Sequence, residues 1–123
     1  MTIQEAIATV DDLKPNQYEH HHKVRWLSTV DGRIYNEIMS HFKKDDDMGW
    51  EPYSENTDVS MELLAPEPYS EIYIYYMTAM IDWWNGEYSR YNSSLAMFNE
   101  SFQAYSDDYA KDHESLGIKK FRL

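Results

Sequence analysis

The stretch YSRYNSSLAMFNESFQAYSDDY, residues 88–109, decides the reading of the fold. Tyr88, Tyr91, Leu95, Phe98, Phe102, Tyr105 and Tyr109 alternate steps of three and four over three heptads. That repeat places one apolar seam along a helix. Bulky aromatics do not suit a tight two-stranded coil, so the seam reads as packing inside one chain. Just before it, Asn85-Gly86 is a turn signal, with Asn92-Ser93-Ser94 a second candidate for the break.

Working outward, a helix is expected from near Pro68, since proline is tolerated in a first helical turn. Tyr69, Ile72, Tyr76, Met80 and Trp83 lie along one face of it, and Tyr73, Met77 and Trp84 widen that face. Towards the N-terminus, Leu27, Val30, Ile34 and Ile38 form a stripe beside Trp26, which predicts a helix from about Gln17 to Phe42. Gly32 inside it costs about 1 kcal/mol relative to alanine, and marks a bend or a close helix–helix contact. Thr2 and Glu5 fit a capping box, with Ile3, Ala6, Ile7 and Val10 on one face of a first short helix. Asp11, Asp12, Pro15 and Asn16 end it. Between residues 43 and 68 the periodicity is lost, although Val59 to Leu64 suits a short strand or a helical turn. A loop of that length in a small domain points to function or mobility. The expected fold is therefore mainly α: one bundle of about four helices over residues 1–116, a long central loop, and an extended C-terminal tail, 117–123.

Charge and composition narrow the function. With 22 acidic against 11 basic side chains, the net charge is −11, which disfavours gripping nucleic acid by neutralising phosphate. Aromatics make up 15% of the chain, eleven of them tyrosines, a surplus that suits subunit contacts. The absence of cysteine removes disulfides and thiolate chemistry. The first residues carry no basic head with an apolar run, so no signal peptide is expected. The most apolar stretch, Ile72 to Ile81, is about half of the roughly 20 residues a membrane span needs. A soluble protein is expected.

Motifs for chemistry are scarce. In Glu19-His20-His21-His22, neighbouring histidines point about 100° apart on a helix and cannot converge on one ion, so a solvated helix start is expected. Asp45-Asp46-Asp47 resembles the opening of a calcium loop, which needs glycine at position six and glutamate at twelve. Starts at Asp45 or Asp47 put Trp50 and Asn56, or Pro52 and Asp58, in those places. A start at Lys44 satisfies both but puts a lysine in the first ligand position. No Gly-x-Ser-x-Gly, phosphate loop or His-Glu-x-x-His occurs. Neither enzyme activity, nor a cofactor, nor a metal is expected. The tail is the remaining candidate: Ile118, Lys119, Lys120, Phe121, Arg122 and Leu123 mix basic and apolar residues on an acidic chain and suggest a partner-binding segment.

Several stretches together resemble a known family, the helical head–tail connector (adaptor) proteins of long-tailed phages infecting Gram-positive bacteria. They are Leu13-Lys14-Pro15-Asn16-Gln17-Tyr18, Lys23-Val24-Arg25-Trp26-Leu27 and Asp31-Gly32-Arg33-Ile34; then Leu63-Leu64-Ala65-Pro66-Glu67-Pro68-Tyr69 with Ile72-Tyr73; then Asn85-Gly86-Glu87-Tyr88, Arg90-Tyr91-Asn92 and Met97-Phe98-Asn99. The resemblance implies a virion structural protein, present in the host cytoplasm during assembly. It implies a closed ring of about twelve copies beneath the portal protein, extending the DNA channel and offering a platform to the next tail or stopper component. DNA would pass without specific binding, and no membrane is involved. The family has no catalytic residues to carry over. On this reading the 117–123 tail docks on a neighbour or on the portal, by strand addition. Two rival readings come from the residues alone. One is an acidic inhibitor that mimics DNA; the other is a non-catalytic helical interaction module of a cell.

Overall fold

The computed structural model describes the backbone of residues 1–42 and 49–121, and side chains among these up to residue 113. Four helices follow one another: α1 (Ile3–Leu13), α2 (His20–Glu37), α3 (Glu71–Trp84) and α4 (Tyr88–Phe121), with a short 3-10 turn, Met39–Phe42, after α2. Among the described residues no strand forms. The Val59–Leu64 segment opens in a turn, Met61 N–H donating to the Asp58 carbonyl (3.0 Å), and then makes one isolated antiparallel bridge, Thr2 with Glu62.

That bridge completes the cap of α1. Its first three N–H groups have no partner within the helix. Ile3 N–H donates to the Met61 carbonyl (3.1 Å) and Gln4 N–H to that of Val59 (2.9 Å). Glu5 N–H donates to Thr2 Oγ1 at 3.0 Å. The long loop is thereby fixed to the N-terminus, and Ile3, Ala6, Ile7 and Val10 are buried as the periodicity predicts.

α2 begins at His20 rather than near Gln17. The reason is local: Asn16 Oδ1 accepts from Tyr18 N–H (3.0 Å), and Asn16 Nδ2 donates to Asp11 Oδ1 (3.0 Å). This side-chain turn holds residues 16–18 out of helix. Gly32 is neither a bend nor a helix–helix contact. A Cβ there would lie 3.2 and 3.3 Å from the Trp50 indole, so the glycine lets a ring from the central loop lie on α2.

α3 is the middle of the molecule and packs on α1, α2 and α4. Ile72, Tyr73, Ile74, Met77, Ala79 and Ile81 are buried around its circumference, more than a single face. Asn85-Gly86 closes it. Gly86 takes φ +77°, and its N–H donates to the Trp83 carbonyl (3.0 Å), while Glu87 N–H donates to that of Asp82 (2.9 Å). This pair of bonds is a glycine-terminated helix end, and Asn92-Ser93-Ser94 lies inside α4. Along the α4 seam Phe98, Phe102 and Tyr105 are buried, whereas Tyr88 at its start is 57% exposed.

The backbone of α4 stays helical to Phe121, so residues 117–121 continue the helix where an extended tail is expected from the sequence. One glycine, Gly117, costs a helix only about 1 kcal/mol, too little to end it. The side chains of Ile118, Lys119, Lys120 and Phe121, expected from the sequence to bind a partner, and the whole of Arg122 and Leu123, lie outside the described residues.

Candidate functional site

Three features stand out among the described residues: a buried carboxylate that ties the central loop to the bundle, an aromatic end that faces solvent, and a buried ion pair beside a polar cleft. The carboxylate is Asp31, fully buried on the apolar stripe of α2. Its Oδ1 accepts from Tyr73 Oη (2.5 Å); its Oδ2 accepts from Tyr53 Oη (2.6 Å) and Leu64 N–H (3.1 Å). Tyr73 Oη in turn accepts from Ala65 N–H at 2.7 Å. One carboxylate therefore joins α2, α3 and both ends of the 50–65 loop. The next two residues extend the joint. Gly32 seats Trp50, and the Arg33 guanidinium lies 4.5 Å from the Phe102 ring centre on α4 while pairing with Glu37 at 2.6 Å.

Burial raises the Asp31 carboxyl above its ordinary 3.8, outweighing the hydrogen bonds from Tyr53, Tyr73 and Leu64 that favour its charge. Burial first, then the Asp31 charge, also push the Tyr53 and Tyr73 phenols far above their ordinary 10.0. Tyr105 is pushed up to about 12, chiefly by burial. The sign follows. Above about pH 10 an unfolded chain gives up these protons while the folded chain keeps them, so stability falls as pH rises. Thermal melts from about pH 9 to about pH 12, with tyrosinate absorbance recorded alongside, should show a falling midpoint. Some tyrosines should ionise only on unfolding. A native titration in which all eleven tyrosines ionise together near their ordinary value would contradict the hub.

The aromatic end gathers the α1–α2 connection, the start of α2 and the α3–α4 turn. Tyr18 Oη donates to Asn85 Oδ1 (2.6 Å), joining the two connections, and its ring meets Trp26 edge-on at 5.9 Å. Trp83 and Trp84, successive on α3, point to different sides. Trp83 packs on Tyr88 and Tyr91 of α4 (5.1 and 5.0 Å). Trp84, 65% exposed, instead lines a groove of about 400 Å³ with Tyr18, His22, Arg25 and Trp26. Arg25 also borders a neighbouring groove with His21, Tyr53 and Glu55. Among the described arginines, Arg33 and Arg90 have carboxylate partners and Arg25 has none.

A third feature is polar. Asp82, 1% exposed, pairs through Oδ1 with Lys14, and its Oδ2 has no hydrogen-bond partner among the described residues. Both border a shallow cleft with Thr78, Ser89, Arg90, Ser93 and Ser94.

The histidine run stays at the surface of the start of α2, with His21 Nδ1 3.5 Å from Glu19 Oε2. No group of three or more metal-ligating side chains gathers among the described residues. Asp45-Asp46-Asp47 lies outside them. Sequence reasoning passes over Asp31, although the signal is present: an aspartate four residues after Leu27 and three before Ile34, in the middle of an apolar stripe. It also counts Trp84 towards the buried face, where the structure exposes it. No helix of the described residues is long and apolar enough to cross a membrane. Compared with protein-family models, curated proteins and solved structures, the chain finds no match.

Proposed function

We propose that this chain is a non-catalytic structural protein of a tailed phage, a head–tail connector subunit. It assembles with copies of itself into a ring beneath the portal protein. The ring extends the DNA channel and carries the next tail component, at the head–tail interface of the virion. The observation that carries the reading is the aromatic end, where Trp84 is 65% exposed beside an arginine with no carboxylate among the described residues. Exposed Trp and Arg are the side chains that supply most of the energy of protein–protein contacts. The net charge of −11 supports a channel that DNA slides through without being held.

The stretches that carry the family resemblance also supply the joints of this fold. Tyr18 meets Asn85, Asp31 holds Leu64, and Gly86 closes α3. The test is to mix the purified protein with the portal of its own phage and image the mixture by electron microscopy. A symmetric ring stacked on the portal is the expected result. No binding to a portal competent for other partners would overturn the reading and favour an acidic inhibitor that mimics DNA.

A further inference from the structure

Among the described residues six large apolar side chains are conspicuously exposed, including Trp84 in the groove and Met97 on α4. Met97 does not stand alone. Ala96, Met97, Glu100 and Ala104 are all exposed and follow one another at steps of one, three and four, which puts them on one outward face of α4. Phe98, Phe102 and Tyr105 occupy the opposite, buried face. Small residues flank the methionine and the glutamate, so a surface can approach this part of the helix closely. Glu100 has no ion-pair or hydrogen-bond partner among the described residues, and the unpaired Arg25 borders the groove that holds Trp84.

From this complementarity we infer that the α4 outer face of one copy docks in the Trp84 groove of the next. Met97 enters between Trp84, Trp26 and Tyr18, where a thioether against aromatic rings is favourable. Glu100 reaches the Arg25 guanidinium, a planar donor that takes a carboxylate through two hydrogen bonds. One copy cannot make this contact with itself. Tyr76 and Trp83 of α3 face α4, as their ring contacts with Phe98 and Tyr91 record. Trp84 lies about 100° further around α3, and the α4 outer face points away from α3 altogether. The two surfaces differ, so the contact is head-to-tail and propagates from copy to copy until it closes. This inference rests on the ring reading and names the surfaces that would build the ring.

The chain has no cysteine, so introduced cysteines report unambiguously. His22→Cys combined with Ala104→Cys, both at exposed positions that leave Trp84, Met97, Arg25 and Glu100 in place, is treated with a short bis-maleimide at rising protein concentration. A ladder of dimers, trimers and larger species is expected. Adding Arg25→Glu should reduce the cross-linked fraction about tenfold or more, since opposed like charges at a contact cost several kcal/mol. Adding Glu100→Arg to that variant should restore the ladder. Circular dichroism melts confirm that each variant is folded. Absence of a ladder at any concentration up to millimolar, or dimers alone, overturns the interface. So does a ladder indifferent to the charge swap. The two readings separate cleanly: a ring on the portal without the ladder removes this interface and keeps the connector function. A ladder with no portal binding does the reverse.

Discussion

Replacing Asp31 with alanine is expected to destabilise the protein by about 3–5 kcal/mol, because one buried and two partly buried donors lose their acceptor together. Tyr73 Oη, Tyr53 Oη and Leu64 N–H all donate to this one carboxylate, which is fully buried. The loss spreads along the loop, since Tyr53 N–H is itself held by Ser28 Oγ (3.0 Å) and the Tyr53 ring meets Trp50 edge-on at 5.4 Å. Asp31→Asn should cost about half as much. Leu64 N–H can only donate, so the amide oxygen must take the Oδ2 place. The amide NH2 then faces Tyr73 Oη, which already accepts from Ala65 N–H and must accept a second bond while losing its own acceptor. Urea unfolding followed by tryptophan fluorescence measures both variants. An alanine variant within about 1 kcal/mol of the parent would mean that apolar packing alone holds the loop.

Lys14→Met should be nearly as damaging, at about 3 kcal/mol or more, because it leaves the Asp82 charge buried and unpaired. Asp82 is 1% exposed, Lys14 is its cation, and Oδ2 already lacks a partner among the described residues. The double variant Lys14→Met with Asp82→Leu removes both charges and should recover most of the loss, since a buried ion pair replaced by apolar groups is often neutral or better. The pair joins the end of α1 to the last turn of α3, so the cycle also measures how firmly α1 is attached. Urea midpoints of the three variants supply the coupling energy. If the double variant is as unstable as the single one, the loss does not come from an unpaired charge at Asp82.

The seam in residues 88–109 is enough to identify α4, and its neighbours follow from the same repeat. Ile3, Ala6, Ile7 and Val10, or Leu27, Val30, Ile34 and Ile38, are buried as their spacing dictates, because helical periodicity is a local property of the chain. The Asn85-Gly86 turn is equally local, since only glycine adopts the positive φ found there without strain. The start of α2 is missed by three residues because a single side chain, Asn16, competes with the helix for the backbone.

The central loop and the aromatic end were not legible in this way. Nothing near Asp31 in sequence reveals that Tyr53, Leu64 and Tyr73, 22 to 42 residues away, will converge on it. Nor does anything near Gly32 name Trp50 as the ring that covers it. Trp83 and Trp84 look alike as sequence, yet half-exposed Trp83 packs against α4 while Trp84 lines the groove beside Arg25. Periodicity assigns a residue to a face of its own helix, and so the sequence by itself determined the helices and most of their core. Which element covers that face depends on how helices and loop pack in three dimensions. The tertiary structure alone therefore decided where the buried charges find their partners and which aromatic surface stays exposed.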